Sequence, residues 1–370
     1  MGLDDVHPFA LPSAGETSLR IGMIAPPAVA VPPPVYGGTE SVVDRLARGL
    51  TARGHEVVLF TVGESTCPVE RRFTYRTAVG TNAGVLTDIL QARAGYRALD
   101  DVDLIHDHTQ TGALLRGLRP AGVPTTATLH TELTAEYAAA LAARARDVSL
   151  VAISHDQRRS APKVRMSAVI HHGIDLAEYP VGPGDGGYLL FLGRMHPTKG
   201  VHRAIAVARG SGRPLIIAAK MWEPEEHRYF TDVVQPMLGR GIEYIGQVGR
   251  DEKVSLLGHA EALVNPIRWR EPFGLVMIES LACGTPVLAF AEGAATEIVE
   301  HGVTGLLCDD EADMARVVER VAAIDRSVCR SRCADRFSMG HMLTRHEMLY
   351  RRVLERAATE SESELLTEAG

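Results

Sequence analysis

Lysine is nearly missing from this chain. Of 39 basic residues only four are Lys (Lys163, Lys199, Lys220 and Lys253), leaving 39 − 4 = 35 arginines, a skew that fits a GC-rich bacterial genome and makes any well-placed lysine conspicuous. Excess positive charge is missing too. The formal net charge is −7, so no global basic field exists to hold a nucleic-acid polymer. Cysteine is sparse and unpatterned: Cys67, Cys283, Cys308, Cys329 and Cys333 form no CxxC pair. That argues against a disulfide framework or a zinc site and fits reduced thiols in a cytoplasm. No apolar run approaches the roughly 18 residues of a membrane span. The opening MGLDDVHPFALPSAGETS lacks the apolar stretch of a signal peptide. A cytoplasmic location is expected, with peripheral docking at a membrane surface left open.

Several catalytic signatures are absent as well. The chain has no GxGxxG after its first strand, no GxxxxGK[ST], no GxSxG and no HExxH, which weighs against a redox Rossmann enzyme, an NTPase, an α/β-hydrolase and a zincin. Asp101-Val102-Asp103 has a metal-binding spelling but precedes a strand, where a solvated turn is the simpler reading. His106-Asp107-His108 follows a strand, yet no third metal ligand is visible in the sequence. No metal and no cofactor are expected.

What is present is ordinary globular composition, 45% apolar and 23% charged over 370 residues, enough for two domains at roughly 150 residues each. Short apolar runs alternate with helical patterns throughout. The runs at Leu19–Ala25, Glu56–Thr61, Asp103–Ile105, Thr125–Leu129, Leu150–Ile153 and Ala168–Ile170 form one series. Those at Tyr188–Leu192, Pro214–Ala218, Ile242–Ile245, Ala262–Val264, Val287–Phe290 and Gly305–Leu307 form a second. Such alternation predicts α/β architecture, two doubly wound parallel sheets covered by helices. Asp175–Gly187, with four glycines and two prolines, reads as the linker. The expected division is a flexible N-terminus over 1–18, a first domain over 19–175 joined by a returning helix at about 339–357, a second domain over 188–338, and a flexible acidic tail over 358–370. Two such domains place their ligand-binding sheet edges on either side of a cleft.

Three segments carry chemistry. In PPPVYGGTE, Gly37 and Gly38 open a helix, where backbone can approach a ligand closely and free N–H groups face an anion; a proline-rich loop with a helix cap would look the same. In FLGRMHPTKG, Arg194 leaves a strand and Lys199 sits where the next helix begins. Two cations there suit a diphosphate, Arg as a fork and Lys as a point charge, although surface cations are common. In EPFGLVMIESLACGTP, Glu271 precedes a helix and Glu279 lies about 2.2 turns further on. Paired carboxylates accept hydrogen bonds from vicinal diols; an acidic first turn would explain Glu271 alone, not Glu279.

These segments, with the TLHT around His130, VIHHGID at Val169–Asp175 and AEGAATEIVEHGVTGLL, resemble the family 4 retaining glycosyltransferases of GT-B fold from about residue 19 to 355. VPPPVYGGTE and AAKMWEPE also resemble the branch of actinobacterial antibiotic-decorating enzymes. The resemblance implies a hexose-type sugar moved from a nucleoside diphosphate sugar, UDP favoured over GDP, to a small-molecule, glycan or lipid hydroxyl. It makes the first domain the acceptor domain and the second the donor domain. It implies that Arg194 and Lys199 hold the diphosphate and that Gly37 and Gly38 line phosphates and acceptor. Glu271 would bind sugar hydroxyls and Glu279 the ribose. The amides of Phe273, Gly274 and Leu275 would add to sugar or phosphate binding, Val248 would lie by the base, and His130 would hold a sugar hydroxyl. The remaining histidines offer no comparable context. The family often has Asn where this chain has His172, which leaves the local hydrogen bonding in question. No second carboxylate is supplied for double displacement, so attack on the leaving group's own face is the expected course.

Other readings are a phosphorylase or epimerase of the same fold and a non-catalytic nucleotide-sugar binder. A phosphorylase needs a pyridoxal-binding lysine, for which Lys220 and Lys253 have no context. A binder has no need of Arg194, Lys199 and Glu271 together.

Overall fold

The computed structural model describes residues 18–81 and 83–368. The N-terminal expectation over 1–18 therefore falls almost wholly outside the described residues. The chain divides into two compact units, Met1–Gly173 with Met339–Gly370, and Ile174–Ser338.

In the first unit β1 (Arg20–Ile24), β2 (Glu56–Thr61), β3 (Glu70–Phe73), β4 (Leu104–Asp107), β5 (Thr125–Leu129), β6 (Ser149–Ala152) and β7 (Met166–Val169) form one parallel sheet in the order β3-β2-β1-β4-β5-β6-β7. The central strands β1, β4 and β5 are buried almost end to end, as strands covered on both faces must be. α1 (Gly38–Ala52), α2 (Gly84–Ala98), α3 (Ala135–Arg144) and the short α4 (His155–Ser160) supply that cover.

The second unit repeats the plan. Strands β8 (Leu189–Arg194), β9 (Leu215–Lys220), β10 (Ile242–Gly246), β11 (Ala262–Asn265), β12 (Val287–Phe290) and β13 (Gly305–Cys308) run parallel in the order β10-β9-β8-β11-β12-β13. Its helices are α5 (Val201–Ser211), α6 (Pro224–Tyr229), α7 (Arg250–His259), α8 (Leu275–Ala282), α9 (Ala295–Ile298), α10 (Glu311–Val317) and α11 (Arg326–Phe337). In each sheet strand order reverses beside the first strand, between β1 and β4 and between β8 and β11. Crevices beyond the strands' carboxyl ends at such points are where this class of sheet binds ligands.

The last helix, α12 (Met339–Glu368), returns to the first unit and packs on α1. Gly49 makes the approach possible, since a Cβ there would lie 2.6 Å from Leu343 Cδ1. Arg53 fastens the pair by donating to Glu347 at 2.5 Å and to Thr344 at 3.0 Å. α12 is helical as far as Glu368, so the described part of the stretch expected as a loose tail, 358–368, is helix, and residues 369 and 370 lie outside the described residues. Ala, Glu and Leu are strong helix formers, and Arg356 pairs with Glu360 one turn on.

The stretch expected as a linker, Asp175–Gly187, is sewn onto the second unit. Gly182 N donates to Cys283 O at 3.0 Å, Gly184 N to Gly258 O at 2.9 Å and Gly186 N to His259 O at 2.8 Å. A Cβ on Gly182 would sit 2.2 Å from Gly258 O. Glycine here serves close approach of two backbones rather than chain freedom, and the boundary falls at Gly173/Ile174.

Candidate functional site

In the second unit Arg194 ends β8 opposite Lys220, which ends β9. Between them Glu226, fully buried on α6, accepts from Arg194 Nε at 3.0 Å and pairs with Lys220 Nζ at 3.3 Å. Its other oxygen accepts the N–H groups of Trp222 at 2.8 Å and Glu223 at 3.2 Å. Burial works against the charged form, but these amides and cations outweigh it and hold Glu226 below the usual carboxylate range. Lys220, drawn down by burial, is opposed by Glu226 and lies 4.4 Å over the Trp222 ring. Arg194 is thus anchored by Nε while its side chain stays 40% exposed.

Lys199 closes the short turn Pro197–Lys199 after β8, and Gly200, in the left-handed region at φ 76°, starts α5 behind it. Lys199 Nζ pairs with Glu271 Oε1 and lies 5.5 Å over the Trp269 ring. Glu271 Oε2 is buried and has no partner. The Glu271 backbone is clamped: its carbonyl accepts Ala294 N at 3.1 Å, and a Cβ on Gly293 would fall 2.7 Å from its N and O. His196 has a pKa lowered first by burial and then by Arg194, with Lys199 adding to it, so it feels both cations.

Gly274 sets the start of α8 at φ 96°, with no side chain capping the helix. The first amides of α8 are therefore the unpaired donors of a helix start. Phe273 is buried against Phe337, so only its backbone can serve a ligand. Glu279 is buried and accepts from Lys253 Nζ at 2.8 Å and Tyr179 Oη at 2.9 Å. Val248 follows β10, beside Gln247, which accepts the Trp222 indole N–H at 2.7 Å.

The first unit holds a pocket of about 330 Å³ beyond the carboxyl ends of β1, β4 and β5, lined among others by Pro26, Glu40, His108 and His130. Gly37 is extended (φ 170°) and begins α1 with no side-chain cap. A Cβ there would lie 2.7 Å from Glu40 Oε2 and 2.8 Å from Pro33 Cβ, so glycine is what lets the Glu40 carboxyl lean over the loop. Gly38 is the first residue of α1.

His130 is not alone, contrary to the expectation that other histidines lack context. Imidazoles form a column His346–His106–His108–His130–His172, with successive centroids 5.3, 4.0, 5.2 and 5.3 Å apart. His108 Nδ1 and His130 Nε2 share a hydrogen bond of 2.9 Å. His106 bonds Tyr350 Oη and Thr128 Oγ1, each at 2.7 Å. Burial, then neighbouring imidazoles, pushes His106, His108 and His172 well below the ordinary value, and burial with His346 takes His130 to about 3. These rings are neutral donors and acceptors at pH 7. His172, where the resembling family has Asn, stacks on His130.

Asp101 pairs with Arg72 at 2.7 Å and Asp103 accepts Arg20 N at 2.7 Å, which accounts for both carboxylates without a metal. Asp107 accepts Tyr96 Oη at 2.5 Å and Thr109 N at 2.7 Å, organising the loop after β4. The partners Glu226, Lys220 and Lys253 escaped sequence reasoning; a Glu three residues after a Glu-Pro helix start was the one trace of Glu226.

Two Rossmann-like units, each a parallel sheet with one strand-order reversal, define a GT-B protein. Comparison with known proteins agrees. The family Glycosyltransferase Family 4 matches residues 36–178 and Glycosyl transferases group 1 matches residues 180–327. The chain belongs to the family 4 glycosyltransferases of GT-B fold. The phosphatidyl-myo-inositol mannosyltransferase of Mycolicibacterium smegmatis is 28% identical over 329 residues, 80% of this chain and 82% of that protein. The glycogen synthase of Mycobacterium tuberculosis is 34% identical over 175 residues, 43% of this chain and 41% of that protein; the match spans less than half the length of that relative. The crystal structure of AviGT4, a glycosyltransferase involved in avilamycin A biosynthesis, superposes with TM-score 0.70 at 27% identity, covering 91% of this chain and 98% of that one. Among the described residues no helix is long and apolar enough to cross a membrane.

Proposed function

We propose that this chain transfers a hexose-type sugar, with retention, from a UDP-sugar to a hydroxyl acceptor, without a metal or other cofactor. The donor is taken by the second unit and the acceptor by the first. The observation that carries the reading is the Lys199–Glu271 pair: a cation beside a carboxylate whose second oxygen is buried and unpartnered. A diphosphate supplies the anion for Lys199, and a sugar hydroxyl supplies the donor that Glu271 Oε2 lacks. Arg194 and the α8 amides of Phe273, Gly274 and Leu275 extend the anion site, and stabilise charge as the diphosphate leaves. Glu279 serves the ribose, Val248 the base, Gly37 and Gly38 the phosphates and acceptor, and His130 a sugar hydroxyl. The acceptor's proton passes to a phosphate oxygen as its oxygen bonds the anomeric carbon on the face the diphosphate vacates. Lys220 and Lys253, the lysines a phosphorylase would call upon, are both engaged with carboxylates.

The test is thermal unfolding with UDP, GDP and their sugars. A ligand at a hundred times its Kd adds about 2.7 kcal/mol to stability. No shift with any nucleoside diphosphate overturns the donor reading, a larger shift with GDP reverses the base preference, and an inverted anomeric proton in the product's NMR spectrum rejects retention.

A further inference from the structure

The pocket of the first unit carries an unusual charge pattern. Its described lining includes Glu40, Asp88, His108 and His130 and no Lys or Arg. Glu40 is 6% exposed, and its carboxyl is free to sit there because Gly37 has no Cβ. Burial raises its pKa to about 7, against a hydrogen bond from its own backbone N–H. Asp88 Oδ2 is occupied by Thr111 N at 2.8 Å and Thr111 Oγ1 at 2.6 Å. His108 is 2% exposed, and its Nε2 has no partner. Because Nδ1 shares a hydrogen bond with His130, Nε2 is a bare acceptor in one tautomer and a bare donor in the other. A hydroxyl satisfies either, since it both donates and accepts. The imidazoles, held neutral by burial, supply no positive charge.

A phosphate, sulfate or carboxylate entering this pocket would lose its water beside two carboxyl groups with no cation in the lining to replace it, a costly transfer. A neutral hydroxyl loses little, and an ammonium gains Glu40. The volume of about 330 Å³ lies at the small end of ligand sites, roughly 300–1,000 Å³, so one ring-sized portion of the acceptor fits. Pro26, Pro27 and Val85 offer that ring an apolar wall.

We propose that the acceptor enters this pocket by a hydroxylated, non-anionic portion, neutral or amine-bearing, and that Glu40 sets this charge selection while His108 Nε2 takes a hydroxyl. This rests on the reading of the first unit as the acceptor side.

The test uses the full chain and four probes that differ in charge: glucose, glucosamine, glucuronate and glucose 6-phosphate. Binding is read by saturation-transfer NMR with UDP present, and each sample is also melted with and without UDP. Glucose and glucosamine should bind at least about tenfold more tightly than the two anions, a difference of about 1.4 kcal/mol. Glu40→Gln should remove the advantage of glucosamine over glucose. Should that variant fail to fold, Thr87→Arg places a cation on the pocket wall with Glu40 intact and should bring glucuronate and glucose 6-phosphate into binding. Anions that bind the wild-type protein as well as glucose does, or no binding by any of the four, overturn the proposal. A UDP-dependent melting shift alongside such a result leaves the donor reading standing, whereas loss of that shift with the charge order intact removes the donor reading alone.

Discussion

Glu226→Ala should be among the most damaging substitutions in the second unit, though sequence reasoning gave that residue no role. Its carboxylate is fully buried and neutralises Lys220, whose side chain is 3% exposed. Removing one member of a buried pair strands the other charge and costs about 3–5 kcal/mol. The lost hydrogen bonds from Trp222 and Glu223 add little, because the first N–H groups of a helix can turn to water and Trp222 is itself exposed. The contribution of Arg194, 40% exposed, is discounted for screening. The expected loss is therefore about 3–5 kcal/mol, which at a urea m-value of about 2–3 kcal/mol/M lowers the midpoint by about 1–2.5 M. Both tryptophans, Trp222 and Trp269, lie in the second unit, so their fluorescence follows that unit. The double variant Glu226→Met with Lys220→Met should return to within about 1 kcal/mol of wild type, since two apolar groups replace both charges. A midpoint within about 0.3 M of wild type for Glu226→Ala, or no recovery in the double variant, would refute the claim that this pair is an electrostatic unit.

Lys199→Ala should lower kcat by about 10²–10³-fold with the far-UV spectrum of the apo protein unchanged and its melting temperature modestly lowered, because Glu271, 16% exposed, loses its ion pair; unaltered turnover removes Lys199 from the diphosphate site. Gly37→Ala should cost about 1–3 kcal/mol by overpacking, its Cβ meeting Glu40 Oε2 and Pro33 at 2.7 and 2.8 Å; an unshifted melting temperature contradicts the close approach. Acidification should destabilise the first unit. His130 and His346, folded pKa values about 3 and 4, take up protons in the unfolded chain below about pH 6.5, so stability is intact above that pH and falls by about 1.4 kcal/mol per histidine per pH unit down to the folded values. Glu40 and Asp107, raised to about 7 and about 6, act in the opposite sense, but the column's five imidazoles outnumber them. Circular-dichroism melting from pH 7 to pH 5 should show a falling Tm, and a flat or rising one contradicts burial of the column in its neutral form.

Most of the fold was legible because parallel strands buried on both faces are written as continuous apolar runs, as in Val57–Phe60 or Val287–Phe290. β3, with the sequence ERRF, was not. It is an edge strand whose side chains are largely solvent-facing, so nothing apolar marks it. Between Glu223 and Leu238 the pattern is helical throughout, yet the chain passes from α6 through a π-turn at Phe230–Val234 and a 3-10 turn at Gln235–Met237, and Pro236 cannot donate to a continuing helix. Lys199 and Glu271 were legible because each sits in a local motif at a strand or helix end. Their pairing was not, since 72 residues separate them. The histidine column was hidden for the same reason: His106 and Tyr350 are 244 positions apart, and only the His-x-His spelling at 106–108 left a local trace.

The scarcity of lysine acquires a physical sense once these pairings are known. Three of the four lysines, Lys199, Lys220 and Lys253, each meet a carboxylate in the second unit: Glu271, Glu226 and Glu279. Arginines close by have a different task. Arg326 donates to the carbonyls of Gly182, Gly258, Ala260 and Cys283, and Arg330 to those of Leu176, Tyr179 and Ala282. A forked guanidinium with five donors suits several backbone carbonyls at once, whereas a compact ammonium suits one carboxylate and can exchange it for another anion. The first unit places no lysine or arginine in the described lining of its pocket and keeps its imidazoles neutral. One sheet plan, used twice, thus presents ammonium–carboxylate pairs in the second unit and, in the first, a pocket of carboxyl groups and neutral imidazoles with no lysine or arginine in its described lining. On the function proposed above, the pairs suit a diphosphate and the pocket a hydroxyl or an amine.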